Sequence, residues 1–179
     1  MLHGEKVTLR APAPSDAAAL HAELYEDVPV RSAADSRPWV PVAAESSPLA
    51  LDPRSEDAAL FSVVDRADDA LAGQALLWAI DSHARSAHVG ISLRPDFRGR
   101  GFAVDILDVL ARYAFRVRNL QRLALETLDS NAAMIAAARR AGYSHEGTLR
   151  RAAWVDGGYR DQLVFGLLAS EWTGSADTG

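Results

Sequence analysis

The chain has 179 residues, 49% of them hydrophobic and 24% charged, which fits one compact α/β domain with a real core and leaves no room for a second full domain. It contains no cysteine and has a net charge of −5; this excludes disulfides, thiolate metal sites and a cysteine nucleophile, and argues against a broad nucleic-acid surface, which needs clustered Lys and Arg. No apolar run long enough for a membrane span occurs, and Met1 to Lys6 form no apolar signal region, so neither a span nor a secretory signal is expected and a cytoplasmic location is the default.

Glu5 to Arg10 alternates polar and apolar residues as a first strand does, and Pro14-Ser15-Asp16 opens a helix over the Ala/Leu-rich stretch to Leu24. From 26 to 54 the pattern breaks: Pro29, Pro38, Pro41, Pro48 and Pro53 fall here, predicting a long loop with at most one helical turn. A loop of that length in a compact domain is a candidate for substrate contact. Three strand-like runs follow, Leu60 to Arg66, Leu71 to Asp81 and Ala87 to Arg94, and short turns between them predict an antiparallel meander. Asp105 to Arg118 places Ile106, Leu107, Leu110, Ala114 and Val117 at helical spacing, an amphipathic helix on a sheet. Leu123 to Leu128 reads as a strand and Ala132 to Ala141 as a helix stopped by Gly142. Tyr143 onward reads as a hairpin turned at Asp156-Gly157-Gly158. Residues 1–172 form one domain in this reading, and 173–179 a flexible tail.

Between the strand ending near Arg94 and the helix starting near Phe102 lies Arg98-Gly99-Arg100-Gly101-Phe102-Ala103. Two glycines and an alanine let backbone approach a ligand closely, and amides at a helix N-terminus favour an anion. A pyrophosphate suits such a turn, with Arg98 and Arg100 flanking it; a tight turn using glycine for geometry alone is the alternative. The segment lacks the Gly-Lys-Ser/Thr ending of a Walker loop, and a meander around it is not the βαβ unit of a dinucleotide fold.

This segment resembles the Arg/Gln-x-x-Gly-x-Gly/Ala loop of the GNAT acyltransferases at every constrained position. The likeness extends to Leu9-Arg10, Asp16, Tyr113-Ala114-Phe115, Asn131 with Gly142-Tyr143, Glu146-Gly147, Gly157, Asp161 and Glu171-Trp172, which together resemble the RimJ/RimL branch of protein N-terminal acetyltransferases. The resemblance covers most of the chain outside residues 26 to 54. It implies an α/β (α+β) GNAT fold, with a mixed, mostly antiparallel, splayed sheet of about seven strands and helices on both faces. It implies acetyl-CoA, or another acyl-CoA, as co-substrate and no metal. The donor would be held by backbone at Ile91, Ser92 and Leu93, by the amides of Arg98, Gly99, Arg100, Gly101, Phe102 and Ala103, and by Asn131, for which a helix N-cap is the structural alternative.

A thioester is already activated, so the protein's remaining tasks are to deliver a neutral amine, stabilise the oxyanion and release the thiolate. Glu126, five residues before Asn131 on an otherwise apolar strand, has the spacing of the glutamate proposed as base in RimI-type relatives, acting directly or through water; a solvent-facing glutamate is the alternative. The family's serine and tyrosine donors are replaced by Met134 and Ala138, neither of which donates a proton. Tyr143 is left as a weak acid candidate against a packing role. Trp39 and Asp161 are candidates for the acceptor side, with 26 to 54 as the acceptor loop. His83, His88 and His145 show no metal-ligand spacing and read as solvated or packing residues. The partners implied are an acyl-CoA and an amine, a peptide N-terminus or small molecule, on a monomer or homodimer with no nucleic acid and no membrane. Two alternatives stand beside this reading: a resistance or biosynthetic enzyme with a non-acetyl donor, and a CoA-binding sensor without turnover.

Overall fold

The computed structural model describes residues 1–34, 37–49 and 55–174. Part of the expected acceptor loop and most of the expected tail therefore lie outside the described residues. Among the described residues, eight strands form one sheet: β1 (Leu2–His3), β2 (Val7–Arg10), β3 (Ala59–Asp65), β4 (Leu71–Asp81), β5 (Ser86–Leu93), β6 (Arg122–Leu128), β7 (Ser144–Val155) and β8 (Gly158–Leu168), in the order β1-β2-β3-β4-β5-β6-β8-β7. Every pair is antiparallel except β5 with β6. The sheet is thus mixed and mostly antiparallel, as expected, and the eighth strand is the two-residue β1.

Period-two alternation decides which residues make the core. Val63, Ala75, Leu77, Ala87, Val89, Leu123, Leu125, Phe165 and Leu167 lie in one buried cluster with Phe102, Ile106, Leu107, Val109 and Leu110 of α3 (Phe102–Arg112) and Ala137 and Ala138 of α4 (Ala132–Arg140). Each fully buried leucine, isoleucine or phenylalanine there contributes roughly 1.5–3 kcal/mol. A second set, Leu20, Leu24 and Tyr25, is buried outside that cluster. It belongs to α1 (Pro14–Leu20) and the wider π-helical turn His21–Tyr25 that continues it. Ser62, which alternates with the core residue Val63, donates to Asp16 of α1 at 2.7 Å, so α1 lies on the face opposite α3 and α4.

Asp16 holds that side in place. Its carboxylate takes both Arg10 guanidinium nitrogens at 2.6 and 3.0 Å, the Ala13 amide at 2.8 Å and the Ser62 hydroxyl. Burial alone would raise this carboxyl; the hydrogen bonds from Arg10, Ala13 and Ser62 outweigh it and bring it down to about 2.

The segment after Tyr25 is more ordered than the sequence suggests, with α2 (Val28–Ala34) and a 3₁₀ turn at Ala44–Ser46. Pro29 stands in the first turn of α2, where a missing N–H removes no intrahelical bond. The final hairpin turns through Asp156 (φ +46°) and Gly157 (φ +75°), the two left-handed residues of a type I′ turn.

Candidate active site

The one parallel pair among the described residues opens almost at once. β5 and β6 are in register at Ser86 with Arg122, Ala87 with Leu123 and His88 with Ala124. β5 then continues to Leu93 beside β4, and β6 to Leu128 beside β8. The sheet therefore parts into a gap whose apex is His88. The Arg94 amide bonds the Ala72 carbonyl at 2.9 Å, and antiparallel alternation then gives β4 the even positions of β5. Val89, Ile91 and Leu93 turn their peptide groups toward the gap, whereas Ser92 turns its own toward β4. The Leu93 carbonyl is capped by Arg98 Nε at 3.0 Å. Backbone groups on an opened edge are receptors for another extended chain.

The turn over 98–103 follows β5 at the open end of this gap. After a 3₁₀ turn at Pro95–Phe97, Gly99 (φ +73°) and Gly101 (φ +81°) adopt left-handed conformations that aim the chain into α3; residues with a Cβ resist that region. Among the described residues, the amides of Gly99 to Ala103 donate no backbone hydrogen bond outside regular elements, and the first helical amides have no intrahelical partner. The cradle is braced from far away in sequence. Asp105 accepts the amides of Glu5, Lys6 and Val7 at 2.9, 2.7 and 2.9 Å, fixing the β1–β2 turn against α3. That turn delivers Lys6, whose ammonium bonds the Arg100 carbonyl at 3.0 Å and would stand 2.9 Å from a Cβ at Gly101.

The Arg100 side chain faces away from the loop's amides. It pairs with the buried Asp65 at 2.9 Å and lies over the rings of Phe97 and Phe102, 5.4 and 5.0 Å from their centroids. Its guanidinium stiffens the turn, and the loop's own contribution to an anion is its backbone.

Across the gap, Glu126 projects from β6 on the face opposite α3. Gln162 of β8 donates to its Oε2 at 2.6 Å, and its Oε1 stands 3.9 Å from His88 Nδ1. His88 packs on Trp78, ring centroids 4.4 Å apart. Asn131 caps α4, its Oδ1 accepting the Met134 amide at 3.1 Å. Tyr143 does not join this group: it is 3% exposed within the core, and burial pushes its phenol well above the usual range. Asp161 accepts the Arg151 amide at 2.8 Å where the β7–β8 register shifts, a brace for the hairpin. Trp39 is exposed beside Tyr25, whose hydroxyl donates to the Val40 carbonyl at 2.7 Å. Arg94, at the end of β5, holds Glu23 of the π-turn at 2.8 Å and keeps that carboxyl below its usual range.

Beyond the residues singled out from the sequence, the structure brings Lys6, Asp105, Gln162 and His88 to this arrangement; His88, read from the sequence as solvated or packing, does pack, on Trp78. For the first three the signal is non-local. His88, though, carried the same sign as Glu126, a polar side chain on an apolar strand. Among the described residues, no group of three or more His, Asp or Glu could hold a metal ion, and no helix is long and apolar enough to cross a membrane.

The family model of the acetyltransferase (GNAT) domain matches residues 6–144, and the chain belongs to that family. Its fold is similar to the spermidine N-acetyltransferase of Vibrio cholerae solved with CoA and spermine, with a TM-score of 0.83 at 24% identity over 94% of this chain and 98% of that one. Mycobacterium smegmatis RimJ, solved with CoA-disulfide, gives 0.82 at 24% identity, covering 94% and 85%. In sequence, the spermidine N(1)-acetyltransferase of Vibrio cholerae is 28% identical over 110 residues, 62% of this chain and 64% of the relative. The matches to curated relatives such as this one span about three fifths of the relatives' length. Spermidine acetyltransferases and RimJ are similar to nearly the same degree, so the likeness defines the superfamily and not the RimJ/RimL branch alone.

Proposed function

We propose that this chain transfers an acetyl group from acetyl-CoA to a primary amine by direct attack in a ternary complex. The observation that carries the reading is the gap between β5 and β6 with the amide cradle of residues 99–103 at its end: an extended, anionic ligand finds backbone partners along Val89, Ile91 and Leu93 and an electropositive helix start for its diphosphate. The residues present fit that group, since Gly99 and Gly101 leave the approach open and Lys6 adds a cation beside it. In this reading Asn131 and the Leu93 amide are further partners of the same ligand. Acetyl-CoA supplies the activated thioester; the protein supplies position and proton handling.

Glu126 is the base in this reading. At about pH 7.4 an α-amine costs only roughly 0.5 kcal/mol to deprotonate, whereas an alkyl amine of lysine type costs roughly 4 kcal/mol. A carboxylate at the apex of the gap matters most for the second class. The acceptor is a primary amine of a small polycation or a peptide N-terminus; spermidine acetylation by the named relatives supports the former. Tyr143 is core packing, and the thiolate takes its proton from the base or from water.

The test is a melt with acetyl-CoA, NAD and ATP followed by a screen of spermidine, peptides and aminoglycosides with free CoA as readout. Acetyl-CoA at about 100 times its Kd adds about 2.7 kcal/mol, so stabilisation by acetyl-CoA alone and CoA release with an amine are expected. Unchanged melting at millimolar acetyl-CoA contradicts the proposal.

A further inference from the structure

We infer that His88 is a second proton-handling residue of this site and works as a pair with Glu126, an inference that rests on the acetyl-transfer reading above. His88 is the last residue of β5 in register with β6, so its side chain stands where the gap begins. Its neighbours fix the ring in one orientation. From β4, Trp78 lies against it with an interplanar angle of 33°. From β6, Glu126 presents Oε1 to Nδ1 at 3.9 Å, while Gln162 of β8 holds Oε2.

The Nδ1 atom is buried and has no hydrogen-bond partner among the described residues. Most buried ring nitrogens are satisfied by a carbonyl or a hydroxyl; His21, whose ring nitrogens are also unpartnered, shows that the lack alone is no sign of function, and the place of His88 where the gap begins is what distinguishes it. Here that nitrogen faces a carboxylate that is itself oriented by a third side chain, which is the nested order of acceptor-facing base, orienting acid and support. At 3.9 Å the pair is too far apart for a direct hydrogen bond. Such contacts tighten when substrate closes a site. His88 and Glu126 are each about a third exposed along the side chain, 33% and 31%, so part of the imidazole remains open for a substrate while Nδ1 is covered.

The pair refines the role given to Glu126 above: the carboxylate acts through the imidazole, and the group that touches the amine is His88. With Nδ1–H directed at Glu126, Nε2 takes a proton from the alkylammonium, and the amine nitrogen gains a lone pair. That lone pair attacks the thioester carbon; the C–N bond forms, the tetrahedral intermediate collapses, and the C–S bond breaks to release the thiolate. The nitrogen gives up its second proton to water, and the imidazolium returns its proton to the thiolate. Glu126 stays ionised throughout and stabilises the imidazolium. The sum is one amide, one CoA thiol and one proton released to solvent.

The experiment compares wild type, His88→Gln, Glu126→Gln, the double variant and His83→Gln, a control on the exposed β4–β5 turn. Each is first checked for melting temperature and acetyl-CoA affinity by calorimetry. The expected result for His88→Gln is native melting, acetyl-CoA affinity within about twofold, and a fall of about 100-fold in kcat/KM for spermidine, with the low-pH limb of the profile flattened. The double variant falls no further than the weaker single one, because paired groups act as a unit. Nitrogen-15 shifts of His88 in the CoA complex give a readout independent of turnover: the Nδ1–H tautomer in wild type, displaced toward Nε2–H in Glu126→Gln. Activity of His88→Gln within about threefold of wild type, or a tautomer indifferent to Glu126, overturns the pair. Wild type that binds acetyl-CoA yet acylates no amine refutes the proposed activity instead, and the tautomer then decides whether the two side chains are coupled.

Discussion

Replacing Asp16 by Asn tests how the face opposite α3 and α4 is held to the sheet. The carboxylate is 6% exposed and bonded by Arg10, Ala13 and Ser62. Breaking a buried pair by removing one partner costs roughly 3–5 kcal/mol; partial exposure of Arg10, 28% along its side chain, places the expectation at the lower end, about 3 kcal/mol near neutral pH. Part of that difference depends on pH. The Asp16 carboxyl is lowered in the fold from 3.8 to about 2, so its stabilisation is fully present above pH 4 to 5 and is lost as pH falls through about 2. A depression of nearly two units corresponds to roughly 2.5 kcal/mol. Urea denaturation of both proteins between pH 7 and pH 2 measures it. The stability gap should be widest at neutral pH and shrink by roughly 2 kcal/mol by pH 2, where the folded-state carboxyl is half protonated. A gap independent of pH would mean that Asp16 is not ionised and paired in the native state, and the reasoning fails.

Glu126→Gln should lower kcat about 100-fold with acetyl-CoA affinity unchanged; equal pH–rate profiles for variant and wild type assign the base elsewhere. Gly101→Val forces a β-branched residue to φ +81° against Lys6; it should weaken acetyl-CoA binding about tenfold by calorimetry at a strain of about 1–2 kcal/mol, and an unaltered Kd removes the cradle from the account. Asp105→Ala leaves the amides of Glu5, Lys6 and Val7 without their acceptor. It should cost about 1–3 kcal/mol of stability and weaken acetyl-CoA binding as the Lys6 turn loosens; full stability in a urea titration would show that the turn holds itself.

Local patterning made much of the fold legible. The meander of β3, β4 and β5 follows alternation, the helix after the loop follows its 3.6-residue stripe, and Asp156-Gly157 announces its turn because few other residues accept two left-handed conformations. The helix α2 was hidden by Pro29, which reads as a breaker unless its place in the first turn is known. The gap could not be derived from strand residues alone, since where β5 and β6 stop pairing is a tertiary fact; it entered only through the family resemblance. The same holds for the brace around the loop. Asp105 meets residues about a hundred positions away, and Arg100, which reads as a phosphate-facing cation, is drawn off by Asp65 and two aromatic rings. Glu126 and His88 carried the same local sign, and only the register of β5 with β6 shows that they share one apex.

A structure of the protein with bound CoA would show whether the gap and the turn at its end hold the ligand. The diphosphate oxygens should lie within hydrogen-bond distance of main-chain nitrogens in the stretch 99–103, with the pantetheine arm running between β5 and β6 against Ile91 and the sulfur near Glu126 and His88. A ligand seated on another face, with the two strands closed against each other, contradicts it.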